Sequence, residues 1–301
     1  MAFQNMVHMQ LMMFLLVAVG FVIRRKGIIQ TETRKGMVDF CIYVTLPFNI
    51  FHAFQMKWDQ SMLMAFVEIL LLSAGYNVIS VLMSFLLYRK ADEEKRKPLR
   101  YGTIVSNGGF LGNPVIEGIY GTEGLFYGSV FMFPVRVVMW TVGTACFMKE
   151  KQGSVVKKVL THPCIAAIYL GLIVMITGIH LPGFVNSTVE GISNCNTPLS
   201  MMLVGMMLAE MNPLGLIDGT MIWYTSVRLL IIPGIIFALT AVLPINPLLR
   251  GVTVIMAGMP APVTTALLSS KYGGDEGYAT GMIFLTTILS MITLPIWCLL
   301  L

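Results

Sequence analysis

The chain has 301 residues, of which 56% are hydrophobic and only 12% carry a charge. A soluble domain of this length needs about a quarter of charged residues to face water, so this composition excludes a soluble domain. The formal net charge of +5 is concentrated in a few short loops, which is typical of a membrane protein and not of a surface that binds nucleic acid.

Apolar runs follow one another along the chain, each about long enough to cross the roughly 30 Å of hydrocarbon in a bilayer. Ten such runs, numbered here as spans 1 to 10, lie near residues 5–24, 34–56, 60–88, 101–119, 123–148, 162–180, 185–211, 219–243, 249–271 and 276–300. The sequence therefore predicts an all-α polytopic membrane protein of ten transmembrane helices, with the lipid bilayer as its surroundings.

Lysine and arginine are divided unequally between the two sides of such a bundle. The loops after spans 1, 3, 5 and 9 carry 16 of them, and the opposite side carries only Lys57 and Arg250. Because basic loops stay in the cytoplasm, we expect both termini to be extracellular and the protein to lie in the plasma membrane. The loop after span 7 departs from this pattern, since it holds Glu210 and Asp218 but no basic residue. The basic stretch 89–100 is interpreted as a solvated loop, with lipid-headgroup binding as the alternative.

An internal repeat relates the two ends of the chain. A shift of 152 residues places Tyr120-Gly121 on Tyr272-Gly273, and it aligns the breaks in spans 4 and 9. The repeat divides the chain into a first five-span half, a short cytoplasmic loop and a second five-span half, at 1–148, 149–161 and 162–301. Because five is odd, the second half is inverted, as in many secondary transporters whose substrate sites lie where discontinuous helices meet.

The broken spans carry specific motifs. Residues 107–114 (NGGFLGNP), followed by Tyr120-Gly121, resemble the span-4 signature of the auxin efflux carrier family. Residues 259–262 (MPAP), followed by the second Tyr-Gly pair, resemble its span-9 signature. Plant members have proline where this chain has Ser106, so the break must rely here on Gly108 and Gly109. The short central loop indicates a bacterial-type member, similar to the permeases proposed to carry malate or malonate.

The resemblance implies an architecture and an activity. Spans 4 and 9 are expected to unwind and cross at mid-membrane. A scaffold of spans 1, 2, 6 and 7, often paired with a second copy, would hold a moving domain of spans 3–5 and 8–10. The expected activity is secondary transport of a small organic anion by alternating access, such as a dicarboxylate or an auxin-like acid.

The breaks also indicate where a substrate would bind. A half-helix that begins inside the membrane offers backbone N–H groups and a positive dipole end to an anion, and one is expected to start near Gly112. The carbonyl ends of the other half-helices suit cations, so a sodium- or proton-coupled exchanger is the alternative. The predicted substrate-binding residues are Asn107, Gly108, Gly112, Asn113, Pro114, Asn49, Met259, Pro260, Ala261 and Pro262.

Ionisable side chains inside spans are costly and are therefore functional candidates. Glu117 and Glu68 are the candidates for proton or ion coupling. Arg136 and Arg228 are interpreted as members of structural ion pairs, and Glu117 is a candidate partner for either. No hydrolase motif, phosphate-binding loop or zinc-ligand spacing occurs, so the sequence predicts no enzymatic activity, no metal and no cofactor.

Overall fold

The computed structural model of the protein describes residues 2–55, 60–147, 163–210 and 217–301. Within these ranges the chain is helical and contains no strand. An all-helical architecture is what lipid requires of such apolar segments, because a helix pairs its own backbone N–H and C=O groups. The protein is thus an all-α polytopic membrane protein.

Each predicted apolar run falls on one or two of the helices. In chain order these are α1 (Ala2–Arg25), α2 (Thr31–Ala53), α3 (Gln60–Leu87), α4 (Glu93–Ile104), α5 (Gly108–Gly143), α6 (Pro163–Thr177), α7 (Gly183–Asn194), α8 (Asn196–Glu210), α9 (Gly219–Ala241), α10 (Pro247–Ala257), α11 (Thr264–Tyr272) and α12 (Glu276–Leu300). Among the described residues, α2, α3, α5, α9 and α12 are long and apolar enough to cross a membrane. The helices α6 and α10 are apolar but shorter.

The two Tyr-Gly motifs of the sequence repeat each place a glycine at a sharp change of direction. Gly121 has φ +66° and interrupts α5, and Gly273 has φ +71° and follows the end of α11. These positive φ angles favour glycine, which has no Cβ to clash with the backbone. The motifs therefore have the same local role in both halves of the sequence.

The helix before the first break starts earlier than predicted. The stretch 89–100 was interpreted as a solvated loop, but α4 already begins at Glu93. Asp92 precedes this helix, and Glu93 and Glu94 occupy its first turn, where negative side chains stabilise the positive end of the helix dipole. The apolar periodicity that begins at Tyr101 could not show this polar first part.

Contacts between residues divide the chain into two compact units. Unit 1 consists of Met1–Val67, Gly109–Val130 and Leu160–Glu210, and unit 2 consists of Glu68–Gly108, Phe131–Val159 and Met211–Leu301. Each unit takes helices from both halves of the sequence.

The closest helix pair of unit 1 is α1 with α8. Gly205 lies against the backbone of Val17 and Phe21, and Gly20 lies against the backbone of Met202. Because the contacting residue numbers rise along α1 and fall along α8, the two helices are antiparallel. Small residues at such contacts allow helix backbones in membranes to approach closely.

The core of unit 2 is rich in tyrosine. Tyr88, Tyr224 and Tyr278 are buried together with Leu99 and Met282. These side chains join α4, α9 and α12 to the C-terminal end of α3. Helix α4 leads into the first of the two breaks described below.

The acidic residues of the loop after span 7 have basic partners. In unit 1, Glu210 accepts a hydrogen bond from Arg24 Nε at 2.6 Å and pairs with Arg34 Nη2 at 2.9 Å. In unit 2, Lys95 Nζ lies 3.1 Å from Asp218 Oδ2. Burial alone would raise the pKa of Asp218, but hydrogen bonds from the Met221 N–H, Lys95 and Tyr278 lower it below its usual value. The missing positive charge of this loop is therefore supplied by basic residues near spans 1, 2 and 3.

Candidate functional site

Two helix breaks of unit 2 are joined directly by a backbone hydrogen bond. Helix α4 ends at Ile104 before the irregular residues 105–107, and α10 ends at Ala257 before the irregular residues 258–263. The Asn107 N–H donates to the Pro260 carbonyl oxygen at 2.9 Å. We refer to residues 105–107 and 258–263 as the junction. The sequence predicted both breaks at these positions.

Arg228 of α9 holds the carbonyl ends of both helices that lead into the junction. Its side chain is fully buried. Nη1 donates to the Thr103 carbonyl at 3.1 Å, Nη2 donates to the Ala257 carbonyl at 3.1 Å, and Nε donates to the Met259 carbonyl at 2.8 Å. Nη2 also lies 3.0 Å from the Tyr76 hydroxyl, to which it donates. These partners are carbonyls and a phenol instead of the carboxylate expected from the sequence.

The position of Thr103 and Ala257 explains why an arginine is needed there. The last carbonyls of a helix have no partner within the helix, and together they carry the negative end of the helix dipole. The N–H groups that would continue the two helices are used elsewhere, since that of Asn107 bonds Pro260 and that of Ala261 bonds Thr286 Oγ1 at 3.2 Å. One guanidinium therefore satisfies two helix ends that are otherwise buried without partners.

Polar side chains at and beside the junction are less completely paired than its backbone. Ser106 is 3% exposed and Thr265 is fully buried, and neither hydroxyl has a hydrogen-bond partner. The side chain of Asn107 is 7% exposed. Because buried polar groups without partners are rare, these hydroxyls indicate a place where a bound molecule can supply the missing bonds.

Unit 1 contains a separate polar cluster around Glu117. Asn49 Nδ2 lies 3.2 Å and 3.3 Å from the two carboxylate oxygens, and Thr197 Oγ1 donates to Oε2 at 3.1 Å. Asn49 Nδ2 also donates to Ser193 Oγ at 3.2 Å, and Asn196 Nδ2 donates to Asn49 Oδ1 at 3.4 Å. The carboxylate of a membrane helix is thus held by neutral donors from α2 and α8.

The cluster continues along α2. Thr45 Oγ1 donates to Asn196 Oδ1 at 3.1 Å, and Cys41 Sγ lies 3.4 Å from Ser200 Oγ. Cys41, Thr45 and Asn49 follow at intervals of four residues, which places them on one helix face. This spacing was visible in the sequence, as was that of Asn196 and Ser200 in α8. Of this set, Asn49 is the residue that the sequence predicts to bind substrate.

The other predicted residues lie at different places. Asn113 is fully buried, and neither of its side-chain amide atoms has a hydrogen-bond partner. The half-helix expected to start near Gly112 starts at Gly108 instead, with a π-helical first turn. A Cβ at Gly108 would overlap the sulfur of Met132, so Gly108 and Met132 are in close contact. Glu68 of α3 is partly exposed and forms no hydrogen bond with the described residues.

The predicted substrate-binding residues are consequently divided between the two units. Those in unit 2 are Asn107, Gly108, Met259, Pro260, Ala261 and Pro262. Those in unit 1 are Gly112, Asn113, Pro114 and Asn49. Sequence reasoning missed Thr197, Ser193, Tyr76 and Thr286, because single hydroxyl residues in apolar runs carry no signal of the partners they find.

Known proteins resemble the chain along nearly its whole length. An uncharacterized transporter of Methanocaldococcus jannaschii is 26% identical over 301 residues, which cover 95% of this chain and 96% of that protein. An uncharacterized transporter of Methanothermobacter thermautotrophicus is 28% identical over an alignment of 312 positions. This alignment covers 99% of this chain and 99% of that protein.

The membrane transport protein family matches residues 6–159 and 151–298 of the chain. The two matches together include all the helices that carry the junction and the Glu117 cluster. The resemblance read from the broken spans is therefore confirmed at the level of the family. The chain belongs to the membrane transport protein family, the family of the auxin efflux carriers.

Proposed function

We propose that this transporter moves a small organic anion across the plasma membrane by alternating access. The observation that carries the proposal is the position of Arg228 on the carbonyl ends of α4 and α10. Broken helices that meet in a membrane offer positive N-terminal ends, which attract anions, and negative C-terminal ends, which attract cations. A buried guanidinium occupies both negative ends and adds a positive charge. The N-terminal end of α11 then favours an anionic ligand.

The substrate class that fits is a carboxylate. Asn107 has an amide that can donate to a carboxylate oxygen, and it lies at the junction beside the unpaired hydroxyl of Ser106. Residues 108 and 259–262 provide backbone at the same place. A dicarboxylate such as malate or malonate and an auxin-like acid are the candidates to be tested.

The proposed mechanism uses ten spans in two inverted five-span repeats, with spans 4 and 9 crossing at the junction. Spans 1, 2, 6 and 7 would form the scaffold, and spans 3–5 and 8–10 would move. The division of contacts supports this assignment for seven spans, since unit 1 takes spans 1, 2, 6 and 7 and unit 2 takes spans 8, 9 and 10. Spans 3, 4 and 5 are divided, because residues 60–67 and 109–130 belong to unit 1 and the rest of these spans to unit 2. Scaffold helices are also the proposed contact with a second copy of the chain.

Transport by purified protein in liposomes tests the anion assignment. Radiolabelled malate, malonate and indole-3-acetate would be supplied one at a time to wild type and to Asn107→Ala. We expect uptake of at least one acid, its loss in the variant, and an unchanged melting temperature, because Asn107 holds the junction through its backbone N–H, which alanine retains. Full uptake by a stably folded Asn107→Ala would contradict the site, and uptake of cations alone would contradict the function.

A second candidate is sodium- or proton-coupled transport on the same fold, and the Glu117 cluster favours it. A carboxylate held by Asn49 and Thr197 can bind and release a cation or a proton as these contacts change. Coupling would make uptake depend on a sodium or pH gradient in wild type but not in Glu117→Gln. Glu68→Gln is the matched variant, since Glu68 has no such contacts among the described residues.

A further inference from the structure

Arg136 is a second buried arginine of unit 2, and its surroundings differ from those of Arg228. Its side chain is 5% exposed, and Nη1 is buried without a hydrogen-bond partner. The described residues provide no carboxylate for it, since their salt bridges join only Arg24, Arg34 and Lys95 to acidic groups. The sequence predicts a structural ion pair for Arg136, and the described residues do not provide one.

The neighbours of Arg136 on α5 place it beside the junction. Met132, one turn before it, lies against Gly108, which directly follows the first break. Gly143, at the end of the π-helical turn Met139–Gly143 that follows, lies beside Tyr101 and Val105, which lead into the same break. Residues spaced by four share a helix face, so Arg136 lies on the same face of α5 as Met132. Arg136 therefore lies one helical turn from the contact between Met132 and Gly108.

An unpaired guanidinium in this position is unfavourable for a protein without a ligand. Arginine stays protonated in proteins, so it cannot lose its charge as a buried lysine can. A buried charge without a partner costs several kcal/mol in general, and membrane helices keep such residues for function. A polar ligand that brings a negative charge removes this cost when it binds.

The groups near Arg136 fit one kind of ligand. The junction residues directly before Gly108 are Ser106, whose buried hydroxyl also lacks a partner, and Asn107. A carboxylate has two coplanar oxygens that match the paired N–H groups of a guanidinium, and it can accept further bonds from a hydroxyl and an amide. Both unsatisfied groups would then be satisfied by one ligand.

We propose that Arg136 is the carboxylate-binding residue of this transporter, with Ser106 and Asn107 completing the site. The inference rests on the proposed function and makes it more specific, because it assigns the charge that selects an anion. Arg228 has a different role under this assignment: it stabilises the helix ends and does not contact the substrate. A substrate with two carboxylates would place one of them on Arg136.

The test compares Arg136→Gln, Arg136→Lys and the matched control Arg228→Gln by thermal unfolding of the purified full-length protein. Without ligand, we expect Arg136→Gln to melt at the same temperature as wild type or higher, because it removes a charge without a partner. Arg228→Gln is expected to melt at a lower temperature, because it leaves carbonyls unpaired. If Arg136→Gln lowered the melting temperature as much as Arg228→Gln, Arg136 would be structural and the proposal overturned.

The second arm adds malonate, malate or indole-3-acetate, with malonamide and indole-3-acetamide as neutral analogues. We expect a carboxylate to raise the melting temperature of wild type while its amide does not. Apparent affinity should fall about 10- to 100-fold in Arg136→Gln and by less in Arg136→Lys, since a charge-assisted hydrogen bond contributes that much and lysine keeps the charge.

The outcomes separate this inference from the function on which it rests. If a carboxylate stabilises wild type and Arg136→Gln equally, the protein binds organic anions but Arg136 does not hold them, and only this inference is overturned. If no carboxylate stabilises wild type and sodium does, anion transport and the role of Arg136 are both overturned.

Discussion

At the scale of single residues, Arg228 and Arg136 show that one residue type inside a membrane protein has two uses. Arg228 donates to Thr103, Ala257, Met259 and Tyr76, so its charge is dispersed over fixed dipoles. Arg136 has no such partners among the described residues. The cost of burying a charge depends on the groups that surround it, and these are set by the tertiary structure. Both arginines look the same in the sequence, where each interrupts an apolar run.

The role of Arg228 predicts a large loss of stability when it is replaced. Arg228→Gln should lower the free energy of unfolding by about 3 kcal/mol, because buried carbonyls at two helix ends lose their donor. Tyr76→Phe removes only one contact of the same guanidinium and should cost about 1 kcal/mol. Thermal or denaturant unfolding in one detergent measures both.

The exposed Arg25 offers the matched control for this prediction. Arg25→Gln should change stability by no more than about 0.5 kcal/mol, as surface substitutions usually do. An Arg228→Gln protein as stable as Arg25→Gln would show that the helix ends near the junction do not depend on the guanidinium.

At the scale of helices, the sequence predicted where segments lie better than where they stop. Proline and glycine at 260, 262, 108 and 109 act on the backbone locally, so both breaks were predictable. The start of α4 at Glu93 was not, because its first two turns are polar and lie outside the apolar run. The start of α5 at Gly108 was missed because Pro114 is typical of the first turn of a helix and indicated a start near Gly112.

The candidate site was predictable to a smaller extent for the same reason. Asn107 and Pro260 could be selected by their motifs, yet the hydrogen bond between them joins residues more than 150 positions apart. The contacts of Glu117 with Asn49 and Thr197 also join distant parts of the chain. Local sequence patterns identify which residues are unusual, and only the packing of helices determines which of them meet.

The contact between α1 and α8 leads to a prediction at this scale. Gly205→Ala should destabilise the protein by about 2–3 kcal/mol, because a Cβ there would overlap the Val17 carbonyl of the neighbouring backbone, which cannot move without displacing α1. Unfolding temperature and the yield of monodisperse protein measure the effect.

Gly191→Ala is the matched control in the same unit. Gly191 lies within α7, and an added Cβ meets no atom within 4 Å. Since alanine favours helix more than glycine does, this variant should be as stable as wild type or more stable by up to about 1 kcal/mol. A Gly205→Ala protein that matched Gly191→Ala would contradict the close packing of α1 on α8.

At the scale of the whole molecule, charge contributes to orientation as well as to local contacts. The loop after span 7 lacks basic residues, but Glu210 and Asp218 pair with Arg24, Arg34 and Lys95 near the loops predicted to be cytoplasmic. Each pair places an acidic residue that borders this loop beside basic residues of the same unit. The one departure from the charge pattern thus supports the predicted topology, in which basic loops remain in the cytoplasm.

Cysteine labelling in intact cells tests this topology. In a variant without the five native cysteines, Lys90→Cys would mark the loop after span 3 and His180→Cys the loop after span 6, and both positions are exposed. A membrane-impermeant maleimide should label His180→Cys in intact cells and Lys90→Cys only after permeabilisation, because 16 of the 20 basic residues lie on the side of Lys90. The reverse pattern would put both termini in the cytoplasm. Labelling of both positions in intact cells would mean that the basic residues do not fix a single orientation of the protein in the membrane. The direction of anion flux could then not be assigned from the sequence.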